Sequence, residues 1–132
     1  SGINNWEVMK KALDKDHGVT EKLKKIAQIA REMDKALTLG QMKKVAALFA
    51  DEWEARKALA PTISTPHMDR LIAGAMKKGA QAAKVCGAGG GGCIAFMVPS
   101  KKREPVVLEL VRLKGQVIPF RFVQRGLRVQ VI

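Results

Sequence analysis

Tyrosine is absent from this 132-residue chain, and aromatic residues make up only 5% of it. Domains that hold single-stranded nucleic acid stack bases on aromatic platforms, so the shortage weighs against that class. Cysteine is almost as scarce, with Cys86 and Cys93 the only two. Two thiols without a neighbouring histidine pair fall short of a tetrahedral zinc site, and a single possible bridge is no disulfide framework. The expectation is two small apolar residues at strand positions in a reducing cytoplasm. No apolar run has the length of a membrane span, and residues 1–6 lack both the basic start and the apolar core of a signal peptide. A cytoplasmic chain with no membrane partner follows as an expectation. The first residue is Ser1 rather than Met, which suggests a processed or excised piece.

Acidic residues are missing from one half in particular. Residues 1–60 carry 12 basic and 9 acidic side chains, whereas residues 61–132 carry 12 basic ones against Asp69, Glu104 and Glu109. Most of the net charge of +12 therefore sits in the second half. A field of that sign draws in phosphorylated ligands, nucleic acids or acidic membranes without choosing among them.

What is present is an apolar content of 47%, enough for one domain with a buried core. Helical periodicity fills the first eighty residues. Asn4 or Asn5 caps a first helix that runs to about Asp16 and ends at Gly18. Thr20 caps a second, striped by Leu23, Ile26, Ala27, Ala30, Met33 and Leu37 and broken at Gly40. A third carries Met42, Val45, Ala46, Phe49 and Trp53 on one face, with Asp51, Glu52 and Glu54 around it. After a connector over 61–66, Thr65-Pro66 starts a fourth helix that buries Met68, Leu71, Ile72, Ala75 and Met76 and closes at Gly79.

Beyond that point the period changes. Ala82 to Cys86 and Cys93 to Val98 read as a strand pair, Lys101 to Lys114 as a fifth helix, and 116–123 and 127–132 as strands joined by a turn at 124–126. The order predicts one α+β domain over 1–132, with a helical part at 4–79 and a sheet part at 82–132. Its N-terminal helical bundle is expected to pack on a mostly antiparallel sheet.

Between the first two strands lies the least ordinary stretch, Gly87-Ala88-Gly89-Gly90-Gly91-Gly92. Glycine loses more backbone freedom on folding than any other residue, so five in six positions need a reason. A tight reversal through positive φ is one; a bare main chain whose amides approach an anion is the other. A Walker loop would close with Lys-Ser or Lys-Thr, where Cys93-Ile94 stands, and a dinucleotide fingerprint would open a helix rather than a strand. Lys84 either adds charge to the loop or reaches solvent from its strand. Ser64 and Thr65 lie at a helix start, where free amides favour anions, though capping accounts for them equally.

Lys84, Gly87, Ala88, Gly89 to Gly92 and Cys93 closely resemble the third conserved motif of the GHMP kinase superfamily, Lys-x-Thr-Gly-Ala-Gly-Gly-Gly-Gly-Cys, with Cys86 in place of the usual Thr. The stretch from Glu52 to Pro61, then Ser64-Thr65-Pro66, Pro119-Phe120-Arg121-Phe122 and Gly126 to Val129, looks like the tail of the heptose-phosphate kinase branch, as do residues 1–7. The resemblance implies a ferredoxin-like C-terminal kinase domain that begins just past its first core strand. It implies an ATP- and Mg2+-dependent sugar or sugar-phosphate kinase whose main ATP loop and catalytic base lie in an N-terminal domain. No catalytic residue and no metal ligand is then expected within this chain, which should be inactive alone. The glycines would form a phosphate and substrate loop, with Lys84, Ser64 and Thr65 as accessory residues, and loss of Thr at position 86 removes a hydroxyl from it. A sheet lacking a strand would favour self-association through its unpaired edge. The alternative is a basic ferredoxin-like module that binds nucleic acid through Phe120, Phe122, Arg121, Arg125 and Arg128, or a small-molecule sensor. Pro-Phe-Arg-Phe does not fit the RNA-recognition signature, and the two phenylalanines are expected in the core beneath helices.

Overall fold

The computed structural model describes residues 2–87, 89–126 and 129, with side chains from Trp6 onward. The chain runs α1 (Gly2–Leu13), α2 (His17–Thr38), α3 (Met42–Lys57), α4 (Pro66–Lys77), β1 (Ala82–Val85), β2 (Ile94–Met97), a 3₁₀ turn at Ser100–Lys102 and α5 (Arg103–Arg112). The result is a helix-rich α+β fold. Its sheet among the described residues is one antiparallel pair, β1 with β2, in the register Ala82–Met97 to Val85–Ile94.

Four helices end the same way. In each, one amide reaches back five residues and the amide before it reaches back three, the paired bonds of a Schellman closure: Asp16 to Lys11, Gln41 to Ala36, Ala80 to Ala75 and Gly115 to Leu110 mark the longer reach. The motif needs a left-handed residue. Gly40 (φ 64°) and Gly79 (φ 106°) supply it where the sequence places breakers, but Lys15 (φ 55°) and Lys114 (φ 66°) supply it for α1 and α5. Gly18 therefore does not end α1; it lies in the first turn of α2. Asp16, not Thr20, caps that helix, its side chain accepting from the Val19 amide at 2.9 Å.

Packing makes three clusters around the hairpin. Val19, Trp53, Leu59, Ala60, Ile63, Met68 and Val85 join α2, α3, α4 and β1, with Val8 and Ala12 of α1 against them. Ile29, Ala36, Val45, Leu48 and Ala55 zip α2 to α3 and receive Met97. Ala75, Ala80 and Val106 seal α4 and α5, with Phe96 and Val98 beneath. The neighbouring side chains Phe96 and Met97 point to opposite faces of β2, so helices cover the hairpin on both sides. Met42 and Met76, expected in the core, are exposed. No helix among the described residues is long and apolar enough to cross a membrane.

The expected strand at 116–123 is not one: the backbone there is irregular, and Val117, Ile118, Phe120, Phe122 and Val123 face solvent. Alternating side chains make a strand only beside a partner that takes up its amides and carbonyls. Among the described residues, none pairs with this segment. Phe120 and Phe122 are 77% and 94% exposed, edge to face at 5.6 Å between ring centres, and so are not core. The last expected strand, 127–132, lies outside the described residues but for Val129.

Candidate functional site

The ladder of β1 and β2 ends in a bond from the Cys86 amide to the Cys93 carbonyl at 2.8 Å. The glycines span the gap beyond it, and Gly87 (φ 89°), Gly89 (φ 81°), Gly90 (φ 71°) and Gly92 (φ 98°) all adopt angles that side chains resist. At Gly89 space is also decisive. A Cβ there would meet the Ile63 carbonyl oxygen at 2.6 Å and Ile63 Cγ2 at 2.8 Å. At Gly87 a Cβ would meet nothing within 4 Å. The loop is pinned on one side by this contact and by a 2.9 Å bond from the Gly90 amide to the Ile63 carbonyl. Gly87, Gly90, Gly91 and Gly92 remain exposed, whereas Gly89 is buried. Ala88 lies outside the described residues.

Because Ile63 immediately precedes Ser64 and Thr65, the pin also sets the loop beside the start of α4. Thr65 caps that helix, accepting from the Met68 amide at 3.2 Å, with Pro66 in the first turn. Ser64 donates to Asp69 Oδ1 at 2.5 Å. Both hydroxyls thus have local work at the helix start, next to the loop.

Lys84 follows a third course. Its side chain is 23% exposed, and its ammonium lies 2.7 Å from Glu52 Oε2 and 5.8 Å from the centre of the Phe49 ring. Oε2 is sealed from solvent, so the Lys84 ammonium is the charge that faces it, as an ion pair. Arg56 donates to Oε1 of the same carboxylate through Nε at 2.8 Å and through its Nη2. Glu52 is only 7% exposed. Burial is the largest single influence on its carboxyl and pushes the pKa up, but the contacts and charges of Arg56 and Lys84 together outweigh it and hold the group below the usual carboxylate value.

Sequence reading set Glu52 on the outer side of α3 and missed this clasp. The signal was there: Val45, Leu48, Glu52 and Ala55 fall at helical spacing on one stripe, and Arg56 follows Glu52 by one turn. Cys86 and Cys93, expected as packed strand residues, are exposed free thiols just beyond the strand ends. No group of three or more His, Cys, Asp or Glu among the described residues suits a metal ion.

Known proteins match this chain in sequence and in overall fold. Residues 9–115 match the family described as GHMP kinases C terminal. The chain belongs to this family. This GHMP kinase C-terminal chain is 28% identical over 113 residues to the D-glycero-alpha-D-manno-heptose 7-phosphate kinase of Campylobacter jejuni, covering 86% of the chain and 33% of that protein. It is 35% identical over 71 residues to the mevalonate kinase of Pyrococcus furiosus, covering 53% of the chain and 21% of the relative. Its fold matches the crystal structure of L. major mevalonate kinase in complex with R-mevalonate at a TM-score of 0.63 and 19% identity, over 80% of this chain and 33% of that one. The GHMP kinase C-terminal chain thus spans about a third of the heptose kinase's length and about a fifth of the Pyrococcus enzyme's.

Proposed function

We propose that this GHMP kinase C-terminal chain forms one part of an ATP-dependent sugar or sugar-phosphate kinase of the cytoplasm, and that its glycine loop contacts the transferred phosphate. The observation that carries this reading is the loop itself. It is a set of positive-φ glycines, exposed at Gly87, Gly90, Gly91 and Gly92, pinned at Ile63 and held at the end of a hairpin covered on both faces. Phosphoryl transfer depends on positioning and on electrostatic support for charge spreading over the phosphoryl oxygens. Amides of the exposed Gly87, Gly91 and Gly92 would supply that support. The Gly90 amide, which bonds Ile63, would act as an anchor instead. Loss of one such preorganised donor typically costs about 10²–10³ in turnover. Lys84 is engaged with Glu52 and would act by fixing β1, while Ser64 and Thr65 would line the approach from α4.

A sugar-phosphate substrate is favoured over mevalonate because the heptose kinase aligns along most of the chain and the mevalonate kinases along about half. Mg2+ would travel with the nucleotide, its protein ligands and the catalytic base lying in an N-terminal domain. Residues 116–123, which alternate but stand unpaired, would complete a ferredoxin-like sheet in the whole enzyme.

Two measurements test this. ATP incubated with the 132-residue chain and mannoheptose 7-phosphate should not be turned over; turnover would overturn the division of the site between two domains. In amide-resolved NMR, added ADP should shift Gly87, Gly91 and Gly92 with affinity that weakens as salt rises. Shifts confined to residues away from the loop would overturn its role.

A further inference from the structure

The register of the hairpin has a chemical consequence at its open end. Continuing the pairing of Val85 with Ile94 by one residue sets Cys86 directly opposite Cys93, and the 2.8 Å amide-to-carbonyl bond between them shows that the ladder reaches this pair. Directly opposed residues project from the same face of a sheet. Opposed residues of an antiparallel pair stand about 4.5–5.5 Å apart at Cα, within the roughly 4.4–6.8 Å that a disulfide spans. Both thiols are free and both are exposed. They are also the only two in the chain, so neither has another partner within it.

We infer that Cys86 and Cys93 are a dithiol modification site, oxidised by a peroxide or a small-molecule disulfide to an intramolecular bridge across the base of the glycine loop. With a peroxide, the thiolate of one cysteine attacks an oxygen, the O–O bond breaks, and a sulfenic acid and water (or an alcohol) result. The second thiol then attacks that sulfur, the S–O bond breaks, and the S–S bond forms with release of water. Two thiols lose two electrons and two protons in all, and the peroxide takes them up. With a disulfide such as oxidised glutathione, one thiolate forms a mixed disulfide and the other displaces glutathione thiol from it. A dithiol reductant reverses either route.

The bridge would close residues 87–92 into a small ring and hold the two strand ends together. The effect on ligand binding rests on the loop function proposed above; formation of the bridge does not.

The test begins with the reduced chain and oxidised glutathione. The tryptic peptide 85–101, which holds both cysteines, should lose about 2 Da in a monomeric product and regain it with dithiothreitol. Cys86→Ser and Cys93→Ser should each instead keep a glutathione adduct on the remaining thiol. Because the fold brings the thiols together, the folded chain should oxidise at a glutathione disulfide to thiol ratio at least about tenfold lower than the urea-unfolded chain. Stable adducts on both cysteines of the wild type, bridges between chains in place of the internal one, or equal oxidation of folded and unfolded chains would each overturn the inference. ADP titrations of reduced and oxidised chain separate the two proposals. A bridge that forms while ADP shifts no loop amide in either state sinks the loop function and leaves the dithiol. ADP shifts in the reduced loop with no bridge ever formed do the reverse.

Discussion

Glycine appears at two kinds of position in the loop, and its removal should have two different outcomes. At Gly89 both the angle and the space forbid a side chain, because the obstruction is the Ile63 backbone rather than the far end of a flexible side chain. Gly89→Ala should therefore destabilise the chain by about 2–3 kcal/mol, seen as a lower urea midpoint, and should shift the Ile63 and Gly90 amides. Gly87→Ala meets no obstruction and should cost only the strain of its angle, about 1–2 kcal/mol. The helix ends run the other way. Lys15 and Lys114 hold left-handed positions where glycine is at ease, so Lys15→Gly and Lys114→Gly should each raise stability by about 0.5–1 kcal/mol in the same assay. Gly40 and Gly79 were legible as stops because the residue type announces the conformation. Lys15 and Lys114 were not, since nothing in a lysine signals that the helix before it has run out of partners.

At the scale of elements, α3 and β1 are joined by a charge as well as by apolar contact. Glu52 is sealed, while its partners Arg56 and Lys84 retain 31% and 23% exposure. Removing the carboxylate from between two cations should be destabilising, by about 2–4 kcal/mol for Glu52→Ala, toward the low side for a broken buried pair because the cations can turn to water. The pH dependence has a definite sign. The folded-state pKa of Glu52 lies below the ordinary glutamate value of 4.5, so its contribution to stability is present above that value and is lost as pH falls through the folded pKa. Acid titration of the wild type should show this loss below about pH 4.5, and Glu52→Gln should flatten that limb. An unchanged limb would assign the acid sensitivity to other carboxylates. The helices themselves were legible from their stripes. The clasp was not, because a glutamate is read as solvent-facing until its stripe is counted, and its partner on β1 is distant in sequence.

Across the whole molecule the largest discrepancy with sequence reasoning is the sheet, and it bears on association. The hairpin was legible, since two short apolar runs flank a glycine turn. The alternation at 116–123 was legible too, yet alternation specifies only a side-chain pattern, and a strand exists only where another backbone lies beside it. Here Ile118, Phe120, Phe122 and Val123 instead form an exposed apolar ribbon, and Leu108 and Val111 are exposed on α5. Single exposed apolar residues are ordinary, but a contiguous set of this kind marks a surface that meets another protein. Among the described residues, both strands of the two-stranded sheet also present an unpaired outer edge. The 132-residue chain should therefore self-associate as its concentration rises, measured as an increasing weight-average mass in sedimentation equilibrium. Phe120→Ser with Phe122→Ser should shift that rise to higher concentration while leaving the helical circular dichroism unchanged, because neither ring is part of the core. A wild-type chain that stays monomeric at every concentration would show that the ribbon and the open edges are covered from within.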